Sequence, residues 1–135
     1  MSTLALRPDL SLRETLELIR DLPLAFMIGG DRMRLACFLL GLDLALPAPF
    51  VSRAIDQMTQ EGIIGKGPLT FIDQLADWLD PGVVGQQHDR ARRRAVFMAI
   101  CDVFLGYADE YELSDVRLGD RRPQLDDGSA ARASE

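Results

Sequence analysis

The side chains that can do chemistry in this sequence are few and scattered. His88 is the single histidine, set beside Asp89 and Arg90 at what reads as a helix start. A zinc site built on several imidazoles, or on histidine with cysteine, has no material. A solvated histidine suits that setting better than a catalytic one. In Gly65-Lys66-Gly67, a phosphate loop would need a hydroxyl residue after the lysine and a glycine where Gln60 stands. Ser52 lacks the glycines of a nucleophile elbow, and Asp126-Asp127 lacks the remaining ligands of a calcium loop. Asp73 and Asp77 are four residues apart on one helix face. Two carboxylates there serve acid–base chemistry only if the face lines a pocket, and solvation opposite an apolar stripe is their simplest role. The expectation is a protein that is not an enzyme, with no cofactor and no metal.

One charge pattern is odd. A long helix predicted over about Gln87 to Glu112 begins with Arg90, Arg92, Arg93 and Arg94 and ends with Asp109, Glu110 and Glu112. A helix dipole prefers the reverse order, at about 0.3–1 kcal/mol per charge. Either the arginines pair with acids elsewhere in the domain, or the charges answer a partner. Two copies packed antiparallel would set each basic end against the other's acidic end, with Phe97, Ile100, Cys101 and Phe104 on the seam. Arg90, Arg93, Arg94, Asp109 and Glu112 would flank it. That arrangement predicts a twofold homodimer. The same arginines, on one face by their spacing, also suit an acidic partner protein.

The elements that must hold these residues are helical. The chain has 135 residues, 47% of them hydrophobic, enough for one domain with a real core. Ser11 and Glu14 have capping-box spacing, and Leu12, Leu16, Ile19 and Leu22 recur at helical period until Pro23. Leu24–Ile28 is a short apolar run, read as a helical turn and closed by Gly29-Gly30. Asp31 caps a helix predicted over Arg32 to Leu42, apolar on every side and so expected at the centre of the domain, with Cys37 buried. Phe50, Val51, Ala54, Ile55 and Met58 mark a third helix, stopped by Gly62. Thr70 caps a fourth, Phe71 to Asp80, with Phe71, Ile72, Leu75, Trp78 and Leu79 on its apolar face. Val96, Phe97, Ile100, Val103, Phe104 and Tyr107 define the long last helix, about 25 residues.

Within Leu35–Lys66, a helix ending Leu39-Leu40-Gly41-Leu42, a turn, and the run VSRAIDQMTQEGIIGKG resembles the winged helix-turn-helix of bacterial regulators. Glu61-Gly62-Ile63-Ile64 stands where that family leads into its wing. The resemblance covers about a quarter of the chain. It implies a short β-hairpin at 63–72, a recognition helix reading DNA with Ser52, Arg53 and Gln57, and Lys66 on phosphate. The electrostatics oppose it. From Leu35 to Asp89 there are seven acids against Arg53 and Lys66 alone, where a DNA-facing surface needs bases to displace counterions. The whole chain is acidic as well, with a net charge of -6, so nucleic acid and anionic membranes are disfavoured.

The sequence therefore predicts an all-α bundle of about five helices with a long C-terminal helix. A flexible arm is expected over 1–10, one domain over 11–116 and a disordered tail over 117–135. No apolar run is long enough for a membrane span, no secretory signal opens the chain, and the two cysteines lie far apart. A cytoplasmic interaction protein follows: an adaptor, inhibitor or regulator that binds another protein and pairs with itself.

Overall fold

A computed structural model describes residues 10–22, 31–67, 69–85 and 89–118. The chain forms α1 (Leu12–Asp21), α2 (Arg32–Ala45), α3 (Val51–Gln60), α4 (Phe71–Leu79), a 3-10 turn (Val83–Gly85) and α5 (Arg90–Glu110). Among the described residues there is no strand, and an isolated bridge joins Ser11 to Arg117. The all-α bundle expected from the periodicity is the fold. The expected hairpin at 63–72 is absent, because Phe71 and Ile72 belong to α4. The Leu24–Ile28 turn, Pro23, His88 and residues 119–135 lie outside the described residues.

α5 is the spine, packed against α1, α3, α4 and the 3-10 turn. Val96, Phe97, Ile100, Cys101, Phe104, Tyr107 and Ala108 are buried along it. α1 runs antiparallel to α5. Arg13 at its start meets Asp109 near the end of α5, and Arg94 near the start of α5 donates to the Arg20 carbonyl at the end of α1. Leu12, Leu16 and Ile19 of α1 are fully enclosed, at about 1.5–3 kcal/mol each.

The N-terminus of α1 has every orphan donor satisfied. Ser11 and Glu14 form the predicted capping box, with Ser11 Oγ accepting from the Glu14 N–H and Glu14 Oε1 from the Ser11 N–H. The Leu12 and Arg13 amides donate to the carbonyls of Val116 and Ser114 at 2.8 and 3.0 Å. The segment after α5 thus crosses back over the start of α1, and Leu118 is buried with its N–H on the Leu10 carbonyl. The packed domain therefore extends to Leu118, two residues past the expected boundary at 116.

α3 closes in a Schellman motif around Gly62 at φ +78°, with the Ile63 N–H on the Met58 carbonyl and the Gly62 N–H on that of Thr59. The residues that resembled the entry to a wing are this cap. The loop beyond is held by Gln74, whose amide accepts from the Gly65 N–H and donates to the Gly65 and Leu69 carbonyls. Thr70 caps α4 as predicted, accepting from the Asp73 N–H.

The start of α3 has no capping side chain of its own, because Phe50 stands at that position. Asp43, at the end of α2, supplies the acceptor instead. Its carboxylate takes the N–H groups of Phe50, Val51 and Ser52 at 2.9, 2.8 and 2.9 Å. An anion at a helix N-terminus satisfies both the donors and the dipole. Asp43→Ala is therefore expected to lower stability by about 1–2 kcal/mol, with Asp43→Asn losing less. Urea unfolding of both variants checks this, and an unchanged midpoint for the alanine variant would contradict the capping role.

Candidate functional site

The charges on α5 are largely taken up inside the chain. Arg92 forms a two-pronged pair with Asp80 at 2.7 and 2.8 Å and also donates to the Pro81 carbonyl. That guanidinium holds the Asp80 carboxyl below the usual carboxylate range. Arg94 caps the carbonyl end of α1. Arg93 is half-buried, its Nε without a hydrogen-bond partner among the described residues, and Arg90 is exposed. At the other end, Asp109 accepts from the Ser114 hydroxyl and from Arg13, which together lower its carboxyl. Glu110 accepts from Gln57, and Glu112 is exposed with φ +60°. The odd charge order thus answers the dipole of α1: acid lies beside its N-terminus and arginine on its C-terminal carbonyls.

This corrects the seam expected on α5. Phe97, Ile100, Cys101 and Phe104 are all buried by other elements of the same chain. They cannot meet a second copy without dismantling the core. Burial also pushes the Cys101 thiol up to about 12.

Of the residues expected to contact DNA, Arg53 and Gln57 are drawn into a polar cluster between α3 and the end of α5. Arg53 stacks on the Tyr111 ring at 3.8 Å, the Tyr111 hydroxyl donates to Gln57, and Gln57 donates to Glu61 and Glu110. Arg53, Asp56, Gln57, Gln60 and Glu61 line a depression there. Ser52 is exposed with its N–H on Asp43, and Lys66 is exposed in the loop that Gln74 holds. The face mixes one arginine with several acids, the wrong sign for a phosphate backbone. Asp73 pairs with Arg32 at 3.0 Å, and Asp77 accepts from the Gly82 N–H at 3.0 Å. Both carboxylates are used structurally. Among the described residues, no group of three or more His, Cys, Asp or Glu could hold a metal ion.

The feature left over lies on α2. Leu35, Leu39 and Leu42 form one row, fully buried against α3 and α4. At 3.6 residues per turn, Met33, Cys37, Leu40 and Leu44 form a second row on the opposite side. Met33 and Leu40 are each 50% exposed, Leu44 is 79% exposed, and Cys37 is exposed. This helix is therefore not the enclosed centre that its composition predicted, because the described elements cover only one of its two apolar faces. Trp78, expected in the core, is likewise 55% exposed on α4. The signal was in the sequence. A helix apolar all round has two faces to bury, and the described residues bury one of them.

No protein-family model, curated protein or solved structure matches this chain.

The two cysteines are expected to separate cleanly by reactivity. Cys37 reacts with an aromatic disulfide reagent in the native chain at about pH 8, whereas Cys101 reacts only after unfolding. Counting thiols released before and after denaturant checks this. Two equally fast thiols, or none, in the native state would contradict the placement of α2.

Proposed function

We propose that this chain is a non-enzymatic protein–protein interaction module, an adaptor, inhibitor or regulator, whose docking face is the exposed row on α2. The observation that carries the reading is the row itself: Met33, Cys37, Leu40 and Leu44 are contiguous, uncharged and on one helix face. Leaving Leu44 in water forfeits about 1.5–3 kcal/mol that burial would recover. Repeated along a helix at steps of four, three and four residues, such side chains form the seam on which another helix packs. The partner's matching surface is thus an apolar helix face. A reducing compartment such as the cytoplasm fits the free cysteines Cys37 and Cys101. Among the described residues, no helix is long and apolar enough to cross a membrane.

A photoreactive residue placed at Leu40 or Leu44, in the cells that make the protein, tests this. Adducts are expected at both positions, mapping to apolar residues of a helix, with none at Ser52 or Asp56 on α3. No adduct at 40 and 44, or equal adducts at the α3 controls, would overturn the reading.

A further inference from the structure

We propose that the docking face of α2 pairs with the same face of a second copy of this chain, the two helices running antiparallel about a twofold axis. The inference rests on the reading above and names its partner. The spacing of the row is its own reverse. Steps of four, three and four residues from Met33 to Leu44 read the same in either direction. In an antiparallel pair, Met33 therefore meets the partner's Leu44, and Cys37 meets the partner's Leu40, twice over.

The charges agree with that direction. α2 carries Arg32 and Arg34 in its first turn and no basic residue in its last. Arg32 is turned inward to Asp73, whereas the Arg34 side chain is 65% exposed beside Asp31. Antiparallel pairing lays each Arg34 across the partner's last turn at Gly41 and Ala45. A Cβ on Gly41 would meet nothing within 4 Å, so that flank of α2 has room for a neighbouring side chain. Arginine on the carbonyl end of a neighbouring antiparallel helix is what Arg94 already does on α1. A parallel pair would instead bring the two arginine-bearing turns together. With a net charge of -6 on every copy, self-association also needs a face free of acids, and the row from Met33 to Leu44 carries none.

Four side chains make a face smaller than the ~800 Å² per partner of a standard stable interface, so the pairing depends on concentration. Sedimentation velocity under reducing conditions, from about 5 to about 500 µM, tests it. The mass is expected to rise from 15.0 kDa towards twice that value. A short bismaleimide is expected to join Cys37 to the partner's Cys37. Leu40→Gln and Leu44→Gln, whose side chains the monomer leaves exposed, are expected to abolish both signals while the circular dichroism is unchanged. A monomer throughout that range, or a dimer that both variants leave intact, would overturn the proposal. If the purified chain stays monomeric while the photoreactive residue at Leu44 captures a helix of a different protein, the self-pairing fails and the interaction module stands. If neither occurs, both fail.

Discussion

The antiparallel pairing of α1 with α5 is the constraint on which the rest of this domain depends. α5 alone has its charges the wrong way round, arginines at the dipole-positive end and acids at the negative end. Beside an antiparallel α1 the same order becomes favourable. Asp109 then lies next to the positive end of α1, and Arg94 sits on its last carbonyls. The exposed pair Arg13–Asp109 adds little energy of its own. The enclosed apolar side chains of both helices supply the energy, and the charges select the direction of packing. The return of residues 114–118 across the start of α1 then fixes that end of the pair.

Once α5 is surrounded by α1, α3, α4 and the 3-10 turn, α2 has only one side on which to pack. It contacts α3 and α4 and is tied to them at both ends, through Arg32 to Asp73 and through Asp43 to the amides of α3. Among the described residues, no helix covers its opposite face. That division accounts for the two rows of apolar residues on α2: one is buried in the fold, and the other is exposed. The surface chemistry agrees, since the polar cluster around Tyr111 and the carboxylates of α4 are bound up in the domain's own hydrogen bonds.

Most of the helical framework was legible in the residues because local chemistry determines it. Ser11 with Glu14, Asp31, Thr70 and Gly62 act where their spacing places them. The cap of α3 was not legible, because Asp43 reaches its amides across Pro47 and Pro49, through a turn whose geometry no periodicity reveals. The charge pattern of α5 was legible as a demand for an antiparallel partner. That the partner is α1, and not a second α5, depends on which apolar faces meet, which is a tertiary fact. The false hairpin came from reading Gly62-Ile63-Ile64 as the start of a strand, when a Schellman cap needs the same glycine followed by the same apolar residue. For α2, apolar composition on all sides pointed to an enclosed helix, whereas the structure buries Leu35, Leu39 and Leu42 and leaves Met33, Cys37, Leu40 and Leu44 exposed.

The account rests on α2 having one face inside the domain and one face outside it. The most direct test compares the stability of dilute Leu39→Ala with that of Leu44→Gln by urea unfolding. Leu39 is buried and Leu44 is 79% exposed, so the alanine variant is predicted to lose about 2–5 kcal/mol. The glutamine variant is predicted to stay within about 0.5 kcal/mol of the parent. Comparable losses in the two variants would mean that the domain itself covers both rows of α2, and the docking face would not exist.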